Sequence, residues 1–124
     1  MKITPVLYVD EIERSLPFWV GRLGFEKTVE VPEGHKLGFV ILQKGDAELM
    51  LQTHESLQKD MPALAVLASR TAALYIEVED FEDLLKRLEG VEVVMPVRKT
   101  FYGMKEIVVR EPGGNTACFA AREK

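Results

Sequence analysis

The stretch LYVDEIERSL at residues 7–16 has a counterpart in IEVEDFEDLL at residues 76–85, an offset of 69. Each copy begins as the end of an apolar strand, turns acidic, and then opens an apolar stripe of helical period. In the first copy Ile12, Leu16, Trp19, Val20 and Leu23 fall on one stripe, and Gly24 supplies the stop, so the spacing predicts a helix over 11–23. Asp10 or Glu11 places negative charge at its start. Pro17 interrupts the pattern, because proline inside a helix loses one hydrogen bond and crowds the preceding turn. Either the regular helix starts later, with Ser15 as its cap, or it kinks there. In the second copy Asp80 is the cap and Asp83 stands three residues on, as in a capping box with a shorter acid. Phe81, Leu84, Leu85 and Leu88 form the stripe, and Gly90 ends it.

Outward from these two anchors the same order of elements repeats. Residues 3–9, 25–31, 37–43 and 47–53 read as strands, with turns at PEGH (32–35) and KGD (44–46). Pro5 lacks a backbone donor and belongs at a sheet edge. Residues 72–78, 91–98, 104–110 and 115–121 read as four more strands, with EPGGN (111–115) as the last hairpin turn. The two late turns align at an offset of 68, nearly that of the helices, which supports an internal repeat. The chain is therefore strand–helix–strand–strand–strand, twice: an α+β single domain over 1–124, with modules at 1–53 and 71–124. The connector at 54–70 has a polar start and an Ala/Leu-rich end that turns helical after Pro62.

Composition narrows the function classes. With 47% apolar and 29% charged residues, the chain of 124 has ordinary globular usage and is not wholly disordered. Twenty acidic residues against sixteen basic ones give a formal charge of -4 and a pI of about 5.3, which argues against a nucleic-acid partner. No apolar run approaches a membrane span, and MKITPVLYVDEIERS turns acidic too early for a signal peptide. One cysteine, Cys118, excludes an internal disulfide and a multi-cysteine zinc site, and the cytoplasm is the expected compartment. His35, in a Pro/Gly turn, and His54, at a strand exit, read as solvated.

The segments PVLYVDEIERSLPFWVGRLGFE (5–26), YIEVEDFEDLLKRLEG (75–90) and YGMKEIVVREPGGNTACF (102–119) together resemble the vicinal oxygen chelate superfamily, also called the glyoxalase/bleomycin-resistance/dioxygenase superfamily. The third resembles its closing signature, an Asp-Pro-Asp-Gly-Asn turn before a strand, here Glu111-Pro112-Gly113-Gly114-Asn115. The resemblance implies two βαβββ modules forming a half-open, curled mixed sheet around a cavity, with the helices outside. It also implies four metal slots, one in the first and one in the last strand of each module. Carried onto this chain they are Thr4, Met50, Ala73 and Cys118. None is a histidine or a carboxylate, so the expectation is no metal and no cofactor. The alternative is a glyoxalase/dioxygenase-type enzyme with an unorthodox metal site, rebuilt by a register slip from Glu48, Gln52 and Glu77. Cys118 reads as a small thiol filling a vacated slot.

Strand alternation then sorts the two sheet faces. Leu7, Val9, Val40, Leu42, Leu74, Ile76, Ile107 and Val109 form a cleanly aliphatic set suited to packing under the helices. The opposite positions mix aromatics, a methionine and acids, as ligand pockets do. The candidate ligand-binding residues are Tyr8, Phe39, Met50, Tyr75, Glu77, Tyr102, Glu106 and Cys118. Glu77 and Glu106 are the expected polar anchors, since a carboxylate is costly to bury alone. Phe101, Tyr102 and Gly103 form a loop that is either a rim on the ligand or a dimer contact. The expected function is a metal-free small-molecule-binding protein that sequesters a drug or metabolite, with a cationic ligand suiting the acids. Open sheet edges and the family habit make a homodimer the expected assembly.

Overall fold

The computed structural model describes residues 1–68 and 71–123. Residues 69 and 70 of the expected connector, and residue 124, lie outside the described residues. Among the described residues eight strands and four short α-helices follow in the order β1 (Val6–Val9), α1 (Ile12–Leu16), β2 (Glu26–Glu33), β3 (Lys36–Lys44), β4 (Ala47–Thr53), α2 (His54–Asp60), α3 (Pro62–Leu67), β5 (Ala73–Glu77), α4 (Phe81–Arg87), β6 (Val93–Lys99), β7 (Met104–Arg110) and β8 (Thr116–Arg122). They build two four-stranded mixed sheets of identical plan, β1-β4-β3-β2 and β5-β8-β7-β6. In each, the first strand pairs in parallel with the last, and the other neighbours are antiparallel. This is the two-module βαβββ fold that the repeat predicts.

Pro17 produces the kink. The α-helix stops at Leu16, and Pro17–Arg22 continue as a π-helical turn in which the N–H of Leu23 bonds the carbonyl of Phe18, 3.1 Å away. The wider turn rotates the stripe. Phe18 and Trp19 are buried, whereas Val20, expected on the stripe, is 37% exposed. The second helix keeps its register. Asp80 caps it by accepting from the N–H of Asp83 at 2.9 Å, but the Asp83 carboxylate turns outward to Arg87 Nε at 2.8 Å, so the box is not reciprocal. The connector is more helical than expected: Thr53 caps α2 by accepting from the N–H of Ser56.

The core lies between the helices and one face of each sheet. Leu7, Val9, Val40, Leu42, Ile107 and Val109 are buried there with Ile12, Phe18, Trp19, Phe81, Leu84 and Phe119. Leu74 and Ile76 are half-buried against the same cluster. The two modules interlock on this side. Arg22 Nη1 donates to the carbonyls of Arg87 and Glu89 at 3.0 and 2.7 Å, and Arg87 Nη1 returns a bond to the carbonyl of Arg22 at 3.2 Å. These cations satisfy carbonyls that the helix ends leave free. The closing turn also reaches across: Gly113 sits so close to Val9 and Ser15 that no side chain fits.

Candidate functional site: the open face of the sheets

Because side chains alternate along a strand, packing the aliphatic set under the helices leaves the other set on the open face. The candidate residues fall into two groups there. On the first sheet, Tyr8 and Phe39 flank Gln52 in register, and Met50 lies between Val6 and Ile41. Gln52 is buried and its Nε2 donates to Ser56 Oγ at 3.1 Å. Beside Tyr8, His54 is half-buried, its Nε2 3.8 Å from Asp10 Oδ1.

On the second sheet the register aligns Tyr75 with Cys118 and Val108, and Glu77 with Ala120, Glu106 and Arg98. Glu106 is the centre of this group. Its side chain is 1% exposed, yet it is not alone. Tyr75 Oη and Tyr102 Oη donate to its Oε2 at 2.6 and 3.1 Å. Arg98 brings Nε and Nη2 to its Oε1 at 3.0 and 2.9 Å. A carboxylate has about four lone-pair directions, and all are taken.

The electrostatics follow from these contacts. The Tyr75 hydrogen bond holds the Glu106 carboxyl below its usual range, aided by Arg98 and Tyr102 and against the effect of burial. The bond to Glu106, then burial, pushes the Tyr75 phenol well above the ordinary phenol range. Bonding to Glu106 also holds Arg98 more firmly charged. Burial, then the charge of Glu106, pushes the Cys118 thiol up, which leaves it a poor nucleophile.

Sequence reasoning named Tyr75, Tyr102, Glu106 and Cys118, and the structure brings them together. It missed Arg98, the group that neutralises Glu106. Glu77 stays exposed at the end of β5, outside the Glu106 cluster. The acidic character expected of this face therefore shrinks to Glu77. A groove of about 380 Å³ lies away from this face, among Pro17, Phe18, Arg22, Arg110 and Glu111 on the helix side.

A family model for the Glyoxalase/Bleomycin resistance protein/Dioxygenase superfamily matches residues 3–119. The chain belongs to that superfamily. No curated protein sequence matches it. Among solved structures it is similar to a bleomycin-binding protein from Streptomyces verticillus complexed with copper(II)-bleomycin, at 26% identity, covering 99% of this chain and 97% of that one, TM-score 0.67. It is also similar to a lactoylglutathione lyase from Agrobacterium tumefaciens at 17% identity, covering 97% and 92%, TM-score 0.77. A glyoxalase/bleomycin resistance protein/dioxygenase from Nocardioides shares 19% identity over 100% of this chain and 85% of that one, TM-score 0.75.

Metal-using members of the superfamily would place donors at the four slots, and the donors here do not fit a divalent ion. Thr4 Oγ1 already donates to Glu48 Oε1 at 3.1 Å, and Glu48 also pairs with Lys2 at 3.1 Å. Met50 offers a neutral thioether, Ala73 a methyl group, and Cys118 a thiol held protonated. Among the described residues no three His, Cys, Asp or Glu side chains gather as a metal site. No helix among them is long and apolar enough to cross a membrane.

Proposed function

We propose that the chain is a metal-free small-molecule-binding protein that sequesters a drug or metabolite on the open face of its sheets. The observation that carries this reading is the saturated Glu106 carboxylate. A general base needs a free lone pair within reach of the proton it takes. Glu106 has none, so it serves as a rigid bracket that fixes two aromatic rings and a guanidinium in place. Such a wall binds; it does not by itself react. The likeness to the bleomycin-binding protein supports the same direction, whereas that to the lyase concerns the fold.

The wall has one side only. Tyr75, Phe101 and Tyr102 are each about half exposed or more, an aromatic surface beside the bracket. A second copy of the chain covers it in this reading, closing the cavity between two subunits in the cytoplasm.

Native mass spectrometry of freshly purified protein, followed by equilibrium dialysis against Zn, Ni, Mn and Fe, tests the proposal. It expects a retained or exchangeable organic ligand and less than about 0.2 equivalents of any metal. Stoichiometric metal that survives dialysis would sink it.

A further inference from the structure

Arg98 carries five N–H groups, of which Glu106 takes the one on Nε and one on Nη2. The rest, two on Nη1 and one on Nη2, point away from Glu106, and the side chain is 54% exposed. The guanidinium is thus held by one edge, with its other edge offered to solvent in a fixed plane. The neighbouring phenols differ. Tyr75 and Tyr102 have each donated their only O–H to Glu106, so towards a ligand they present ring faces and acceptor oxygens. Phe101 packs edge-on to Tyr102 at 5.0 Å and is fully exposed, which extends the aromatic surface.

We propose that Arg98 is the specificity-determining residue of this face, and that the ligand it selects carries a carboxylate on a flat apolar body. The proposal rests on the reading of the open face as a ligand wall and names the chemistry of what binds there. A carboxylate matches two parallel N–H groups of the free guanidinium edge, a geometry that lysine cannot offer. The flat body lies against the rings of Tyr75, Tyr102 and Phe101. The acceptor-only phenol oxygens confine the anionic group to the Arg98 edge. Glu106 is a positioning residue: it fixes the guanidinium plane before the ligand arrives, so little side-chain freedom is lost on binding. Its charge also offsets that of Arg98. Fork geometry, more than net charge, therefore sets the selectivity, and binding should depend only weakly on salt.

The test is an NMR titration of the full chain with naphthoate, naphthamide and naphthylmethylammonium, reading the Arg98 Nε–H and the rings of Tyr75 and Tyr102. Naphthoate is expected to shift these signals in a saturable way and to bind at least about tenfold tighter than the other two. Arg98→Lys keeps the charge and is expected to weaken naphthoate by about tenfold or more, while the wild-type probe series decides the matter should that variant fold poorly. If the amide or the ammonium binds at the same residues as tightly as the acid, the carboxylate proposal is overturned and the ligand wall stands. If none of the three moves these residues, or naphthoate shifts only residues elsewhere, the ligand wall itself is overturned.

Discussion

Tyr75 Oη lies 2.6 Å from Glu106 Oε2 although β8 runs between their strands. The phenol reaches across the open face, past Cys118, which is its own register partner on β8. A long aromatic side chain spans that diagonal, and the short residues on β8 leave it room. One hydrogen bond thus ties an edge strand to a strand two places away and fixes the ring that would meet a ligand.

Removing the Glu106 charge should therefore lower stability. Glu106→Gln keeps size and shape but leaves the Arg98 guanidinium without its counter-charge. It also replaces one acceptor oxygen with a donor facing donors. The phenol hydroxyls can turn to accept, which bounds the loss, and a melting-temperature drop of about 3–6 °C is expected. Glu77→Gln, on an exposed side chain outside the cluster, should stay within about 1 °C. An unpaired inward carboxylate would behave oppositely, gaining stability on neutralisation, so equal or raised melting of the Glu106 variant refutes the bracket.

Gly113 offers a sharper test of how the modules join. A methyl group there would lie 2.5 Å from Val9 Cγ1, 2.7 Å from Glu111 Oε1 and 2.9 Å from Ser15 Oγ. All three neighbours are buried, so the turn must move away from the first module. Gly113→Ala is expected to cost about 1–3 kcal/mol by urea unfolding at unchanged slope. Gly34→Ala meets nothing within 4 Å and pays only for its positive φ of 66°, about 1 kcal/mol. A smaller loss at Gly113 than at Gly34 would contradict the interlock.

The two faces of the sheets were legible because alternation survives intact in β1, β3, β4 and β7. Val9, Val40, Leu42 and Val109 all fall on the buried side that the period of two assigns them. Val20 was misplaced because Pro17 changes the helical period, and a stripe counted at 3.6 residues per turn drifts once the turn widens. Arg98 was overlooked because register shifts interrupt β6 between Val93 and Arg98, so alternation there assigns no face. A signal was nonetheless present. Counting back from the turn pairs Lys99 with Lys105 and then Arg98 with Glu106, and this second pair sets opposite charges directly across a hairpin. What no count along the chain gives is the convergence of Tyr75 and Tyr102 on the same carboxylate, since it depends on the order of strands in the sheet.

Assembly gives an independent prediction. The exposed Tyr75, Phe101 and Tyr102 form an aromatic surface that a single chain leaves to water. A homodimer of about 28 kDa, twice the 14.0 kDa chain, is expected in light scattering at tens of micromolar. Phe101→Glu, which puts a charge on that surface, should shift the mass toward the monomer. A monomer in the unmodified chain refutes the closed cavity.

The bracket should also give stability a limit on each side of neutrality. Tyr75, through its hydrogen bond, holds the folded-state pKa of Glu106 below 4.5, the value of an unperturbed glutamate. Its contribution is then present above pH 4.5 and is lost as the pH falls toward the folded value, where the native carboxylate too takes its proton. Tyr75 works in the other direction. Its folded pKa is raised above 10.0 because ionisation would break the bond to Glu106 and set two negative charges together. Its contribution is present below pH 10.0 and is lost as the pH rises beyond it, where the unfolded chain gives up a proton that the native chain retains. Melting temperature measured from pH 3 to 11 should accordingly fall at both ends. Glu106→Gln should flatten the acid limb and also much of the alkaline limb, because it removes the charge that raises the Tyr75 phenol. Tyr75→Phe should flatten the alkaline limb and leave part of the acid limb, because Arg98 and Tyr102 still hold the carboxylate. If the Tyr75→Phe profile overlays the wild type above pH 10, the phenol carries no coupled proton and the bond to Glu106 does not hold in solution.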